Sequence, residues 1–214
     1  MSYDSCHSLP AGSTYIALTE EEVLKLDDLL YGMMVASAND AANGVAECIG
    51  GTAEQFVQMM NDKCTELGLL STHMTNATGL HNANHYTTCR EMASLLAAAV
   101  ANEQVKTLLS SEKHVTTTNV HGKVTFYSTY FADLKNAVSP FAYVSSNATD
   151  IAAKTGMTDE AGYCLATYMK SKATGKRESI DDIIIVAINT TEGVLIRLTG
   201  RNIELEDATS LLNI

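Results

Sequence analysis

LDDLLYGMMVASANDAANGVAECIGG, residues 26–51, holds two kinds of pattern that meet at Ser37-Ala38-Asn39. Upstream, Val23, Leu26, Leu29, Leu30, Met33 and Met34 recur at helical spacing. Thr19 and Glu22 stand before them as a capping-box pair, which predicts a helix over about 20–36. Downstream, DAANGVAECI at 40–49 reads as a short helix of small residues, suited to close packing against a neighbour. Thr52 and Gln55 repeat the capping device, and Phe56, Met59, Met60, Cys64 and Leu67 then share one face until Gly68 offers a stop. Glu91–Val100 reads as a further apolar helix.

Beyond residue 110 the pattern turns to β-branched runs. HVTTTNV (114–120) and KVTFY (123–127) flank His121-Gly122 and predict a hairpin. Ile151–Thr155, Tyr163–Met169, Ile183–Ile188 and Val194–Leu198 are further strand candidates, and a helix over about 204–213 closes the chain. Helices followed by strands indicate an α+β fold with an antiparallel sheet flanked by helices. The expectation is a single domain over 1–214, helical at about 20–110 and sheet-forming at about 111–214, without an internal repeat.

Composition supports a packed protein and excludes some partners. Residues that are 46% hydrophobic and 18% charged, with two prolines in 214 residues, lie far from the disordered class. A formal charge of -11 argues against nucleic acid, whose affinity comes from Lys and Arg neutralising phosphates. The charge is also uneven: Lys25 is the only cation before residue 63, whereas Lys154–Arg201 gathers half of the basic residues and is the better home for an anionic ligand. The basic stretch KSKATGKRES (170–179) reads as a solvated connection. Cys6, Cys48, Cys64, Cys89 and Cys164 have no C-x-x-C spacing, so they read mostly as core-filling thiols rather than a disulfide framework. His73, His81 and His85 are close in sequence but read as loop residues, with no metal site and no cofactor expected. Neither a leader peptide nor a membrane-spanning run is expected from this sequence.

Two tripeptides carry the chemistry: Ser37-Ala38-Asn39, and Lys154-Thr155-Gly156 followed by Met157-Thr158-Asp159-Glu160-Ala161-Gly162. In order along the chain they resemble the second and third motifs of the penicillin-recognising serine enzymes. The match extends through residues 26–51, FVQMMNDKCTELGLLSTHMTNATGLHNANHYTTCREMA (56–93) and AAKTGMTDEAGYCLA (152–166). All three stretches resemble the serine-type D-Ala-D-Ala carboxypeptidases of peptidase family S11. The resemblance implies a β-lactamase/transpeptidase-like fold, a cell-envelope setting outside the cytoplasm, and peptidoglycan stem peptides ending in D-Ala-D-Ala, with β-lactams, as ligands. It places Ser37, Asn39 and Lys154 in the catalytic relay, and Thr155, Gly156 and Met157 along the substrate. A hydroxyl at 37 can accept and donate, Asn39 can serve two partners without a charge, and Lys154 adds a positive charge beside Ser37. Thr155 would hold the substrate carboxylate, Gly156 would let a peptide lie along the strand, and the Met157 N–H would form half of an oxyanion hole.

The pattern also departs from the family. Its first motif, Ser-x-x-Lys, should precede Ser-x-Asn, but Lys25 is the only lysine before Ser37 and Glu22 stands three residues ahead of it. The expectation is therefore a domain incomplete at its N-terminus and inactive by itself, with self-association or a separate N-terminal segment covering the apolar surface left open. The Ser110-Ser111-Glu112-Lys113 match falls at a polar transition and reads as coincidence. Where the family places a carboxylate-binding arginine, Glu204 stands before Ala208-Thr209-Ser210-Leu211-Leu212, and Arg197 or Arg201 remain as substitutes. A non-catalytic binding module is the alternative function. A class A β-lactamase is less favoured, because that family's Glu-x-x-Leu-Asn context is absent.

Overall fold

The structure, a computed structural model, describes residues 9–131, 148–171 and 182–190. Among the described residues the helices α1 (Leu26–Met34), α2 (Asn39–Gly50), α3 (Ala53–Glu66), α4 (Cys89–Val100) and α5 (Glu103–Ser110) come first. The described strands follow: β1 (Lys113–Thr118), β2 (Gly122–Tyr127), β3 (Ala148–Thr158), β4 (Gly162–Ser171) and β5 (Ile183–Thr190). β1 and β2 form an antiparallel hairpin, and β3-β4-β5 form a separate antiparallel sheet with β4 in the middle. None of the described helices is long and apolar enough to cross a membrane.

Small residues let α1 and α2 approach closely. A side chain at Gly32 would meet Ala41 Cβ at 3.1 Å and Ile16 Cδ1 at 3.0 Å, so glycine on α1 and alanine on α2 are what this contact tolerates. Around it, Leu18, Leu29, Ala38, Ala41 and Val45 form one buried cluster, with Phe56 of α3 against it. α3 starts where Thr52 Oγ1 accepts the Gln55 N–H at 3.2 Å, and the chain leaves it through Gly68 at φ 74°. Thr88 and Asn102 cap α4 and α5 in the same way. These two helices cover the sheet, with Leu96 and Leu109 packed on Ala152 of β3 and Tyr168 of β4. The layer they make holds β3, and with it the Lys-Thr-Gly stretch, firmly from one side.

Several sequence expectations change on contact with tertiary structure. The helix expected from residue 20 begins only at Leu26. Thr19 and Glu22 do pair, Thr19 N–H donating to Glu22 Oε2 at 3.3 Å, but as a turn closed by Glu22 N–H on Thr19 O at 3.1 Å. The hairpin accounts for this. Asn119 accepts the Val23 N–H at 2.7 Å and donates to Glu21 O at 2.8 Å, while His121 Nδ1 lies 2.9 Å from the buried Glu22 carboxylate. Those bonds take up backbone groups that a helix would need, so tertiary contacts override the local signal. α5 was not expected, and the cap at Asn102 was its available signal. Met59 is 48% exposed rather than packed, and of the described cysteines only Cys64 is buried, Cys48 being exposed and Cys89 and Cys164 intermediate. The segments expected at 194–198 and 204–213, residues 172–179 of the basic stretch, Cys6, Arg197, Arg201 and Glu204 lie outside the described residues.

Candidate active site

α1 ends at Met34, and the chain turns through Val35, Ala36, Ser37 and Ala38 before α2 begins at Asn39. Ser37 sits at φ 56°, a left-handed conformation that a side chain makes costly. The turn persists because it is fastened on both sides. Ala38 N–H donates to Gly32 O at 3.1 Å, and Asn39 N–H donates to Thr14 O at 2.9 Å. Asp40, fully buried in the first turn of α2, accepts Ile16 N–H at 3.1 Å, Leu18 N–H at 3.0 Å and Ala41 N–H at 2.9 Å. One carboxylate at a helix N-terminus thus ties segment 14–18 against α2, and its charge suits the positive end of the helix dipole.

β3 brings the second motif to this turn. Lys154 Nζ donates to Ser37 Oγ at 2.6 Å across 117 positions of sequence, and to Thr155 O at 2.6 Å. Both acceptors are neutral oxygens. Burial therefore goes uncompensated and pulls the Lys154 ammonium down from 10.5 to about 8. Thr155 Oγ1 lies 2.7 Å from Thr129 Oγ1. Asn39 is buried, at the head of α2. Gly156 and Met157 are exposed on β3, with open space where a Gly156 side chain would stand. The six residues named from sequence thus lie on two elements that touch through Ser37 and Lys154.

Thr129 was missed in the sequence. It lies beyond β2 and carries no motif, and its N–H donates to Val35 O at 3.3 Å, two residues before Ser37. Tyr130, 1% exposed, anchors that stretch between Ala153 and Leu165. The other sequence candidates lie elsewhere. Ser110 lines a shallow cleft with Glu103, Lys106, Thr107 and Asp150. His73 Nδ1 faces Asn84 O at 2.6 Å, His85 Nδ1 faces Thr75 Oγ1 at 3.3 Å, and His81 Nδ1 lies 4.0 Å from Glu160 Oε2. Each imidazole has a different partner, local for His73 and His85 and distant in sequence for His81.

The sequence profile of peptidase family S11, D-alanyl-D-alanine carboxypeptidase, matches residues 4–190. The chain belongs to this family. Among curated S11 proteins it is 32% identical over 164 residues to the D-alanyl-D-alanine carboxypeptidase DacF of Bacillus subtilis, a match covering 77% of this chain and 39% of that protein. It is 31% identical over 144 residues to the D-alanyl-D-alanine carboxypeptidase of Streptomyces sp. strain K15, covering 64% of this chain and 47% of the other. The chain thus spans less than half the length of these S11 relatives. Solved structures agree on the fold. The Streptomyces K15 DD-transpeptidase superposes with a TM-score of 0.65 over 84% of this chain and 66% of that one, at 23% identity. A penicillin-binding protein homologue from Mycobacterium tuberculosis gives 0.62 over 77% of this chain and 56% of that one, at 22% identity. The α+β, transpeptidase-like fold with an antiparallel sheet expected from the sequence is the one found.

Proposed function

We propose that this chain forms two walls of a serine peptidase site that removes the terminal D-alanine from peptidoglycan stem peptides in the cell envelope. The observation that carries this reading is the 2.6 Å bond from Lys154 Nζ to Ser37 Oγ, which joins Ser-x-Asn to Lys-Thr-Gly in a member of the S11 family. With its oxygen accepting from Lys154, the Ser37 hydroxyl keeps its own hydrogen to give. In acylation a serine oxygen attacks the penultimate D-alanine carbonyl and the peptide C–N bond breaks. The serine's proton reaches the leaving amine through Ser37, which gives up one hydrogen and regains another. Lys154 keeps the region electropositive, Asn39 orients the relay, Thr155 donates to the terminal carboxylate, and the Met157 N–H meets the oxyanion. Gly156 leaves room for the peptide backbone along β3.

The sequence before Ser37 contains no Ser-x-x-Lys, so the attacking serine is assigned outside those residues. A second reading rests on the same Ser37–Lys154 geometry: the chain holds peptide termini or β-lactams without cleaving them. One pair of experiments addresses both. The ¹⁵N-labelled chain, titrated with diacetyl-L-Lys-D-Ala-D-Ala, should show shifts at Ser37, Asn39 and Thr155–Met157 that the L-Ala-L-Ala peptide does not produce. Equal responses to both peptides, or shifts confined to other residues, would sink the substrate assignment. Incubation with benzylpenicillin followed by intact mass spectrometry should leave the mass unchanged, whereas a stoichiometric adduct would place a working nucleophile within this chain.

A further inference from the structure

We propose that Thr129 is a positioning residue: its hydroxyl fixes Thr155 as a hydrogen-bond donor and so makes the site prefer peptides ending in a free carboxylate to those ending in an amide. The inference rests on the reading of Thr155 as the carboxylate holder and deepens it.

Thr129 is held on three sides before any ligand arrives. Its N–H donates to Val35 O at 3.3 Å, which ties it to the end of α1. The next residue, Tyr130, is 1% exposed and packs with Ala153 and Leu165, so the backbone on either side of Thr129 is fastened both to the helix and to the sheet. Its hydroxyl lies 2.7 Å from that of Thr155, and the two oxygens share one hydrogen. Which threonine donates is free in an empty site. A carboxylate has only acceptor atoms, so contact with one requires Thr155 to donate outward. The Thr155 oxygen then accepts from Thr129, and the hydrogen bonds run one way, from Thr129 through Thr155 to the anion, each polarising the next. A terminal amide carries both a donor and an acceptor and no charge, so it can use the Thr155 hydroxyl in either direction. The preference for acid over amide is therefore the property that Thr129 controls. Lys154, one residue before Thr155, adds positive potential but cannot choose the hydroxyl's direction, because its ammonium is committed to Ser37 Oγ and Thr155 O.

The test titrates the ¹⁵N-labelled 214-residue chain with diacetyl-L-Lys-D-Ala-D-Ala and with the same peptide as its C-terminal amide, reading affinity from the Gly156 amide shift. The parent chain should bind the acid more tightly. Thr129→Val, which keeps the shape and removes the hydroxyl, should weaken the acid roughly fivefold and leave the amide unchanged, because a donor to a charged group has lost its direction. Thr129→Ser should restore the parent ratio. Thr129→Ala serves as the second variant if valine disturbs the fold, judged by unshifted amides of 113–127. An acid-to-amide ratio unchanged in both Thr129→Val and Thr129→Ala would overturn the inference while the site reading stands. A parent chain that binds acid and amide alike, or neither, would overturn the Thr155 assignment and this inference with it.

Discussion

Lys154 should make the stability of this chain depend on pH in a way that one substitution removes. Its ammonium hydrogen-bonds two neutral oxygens, and burial lowers its pKa from 10.5 to about 8. Below about pH 8 both folded and unfolded chains carry the proton, and the fold bears the full cost of burying it. Between about 8 and 10.5 the folded chain sheds the proton while the unfolded chain keeps it, so stability rises with pH. Integrating that difference from about pH 7 to about pH 9.5 gives a gain of about 2 kcal/mol. Lys154→Met cannot show it. Urea unfolding followed by circular dichroism, on both proteins at both pH values, isolates the contribution of Lys154, because the raised pKa values of Tyr168 and Cys64 are common to both and cancel. A double difference under about 0.5 kcal/mol would mean that Lys154 titrates as an exposed lysine and that the buried-ammonium argument is wrong.

Two further outcomes follow from the turn beside it. Asp40→Ala removes the acceptor of three backbone N–H groups and should cost about 2 to 4 kcal/mol in urea unfolding, whereas a loss under about 1 kcal/mol would show that water replaces it readily. Ser37→Gly and Ser37→Ala both remove the hydroxyl, but only glycine is at ease at φ 56°, so the glycine variant should be the more stable by about 1 kcal/mol; equal stabilities would mean that the backbone relaxes.

Much of the architecture was legible wherever a local signal met no competitor. Thr52 caps α3 and Gly68 ends its exit as read, and the hairpin forms, although its turn is Asn119-Val120-His121 and Gly122 is already paired with Thr118. The start of α1 was misread although its capping pair is real, because the decisive partners, Asn119 and His121, lie about a hundred positions away. The same holds for the site. Tripeptides and family resemblance nominated Ser37, Asn39 and Lys154-Thr155-Gly156, since these residue types carry their chemistry on the surface of the sequence. Thr129 has no such signature: a threonine after a β-strand is unremarkable until tertiary structure sets it 2.7 Å from Thr155.

These contacts close into a ring, which explains how a strained turn and an uncompensated ammonium persist together. From Val35 the path runs through the Thr129 N–H, across the hydroxyl pair to Thr155, to its neighbour Lys154, and by the ammonium to Ser37, two residues from where it began. α1, the exit of β2 and β3 each contribute one arc: α1 is anchored through Leu29, the exit of β2 through Tyr130, which packs on Ala153 of β3, and β3 also through Ala152 beneath Leu96 and Leu109. Opening any one bond leaves a buried polar group facing a partner held in place by the other two arcs, so the strain at Ser37 cannot relax by moving one element alone. It follows that the distance between the two motifs is set by residues neither motif contains.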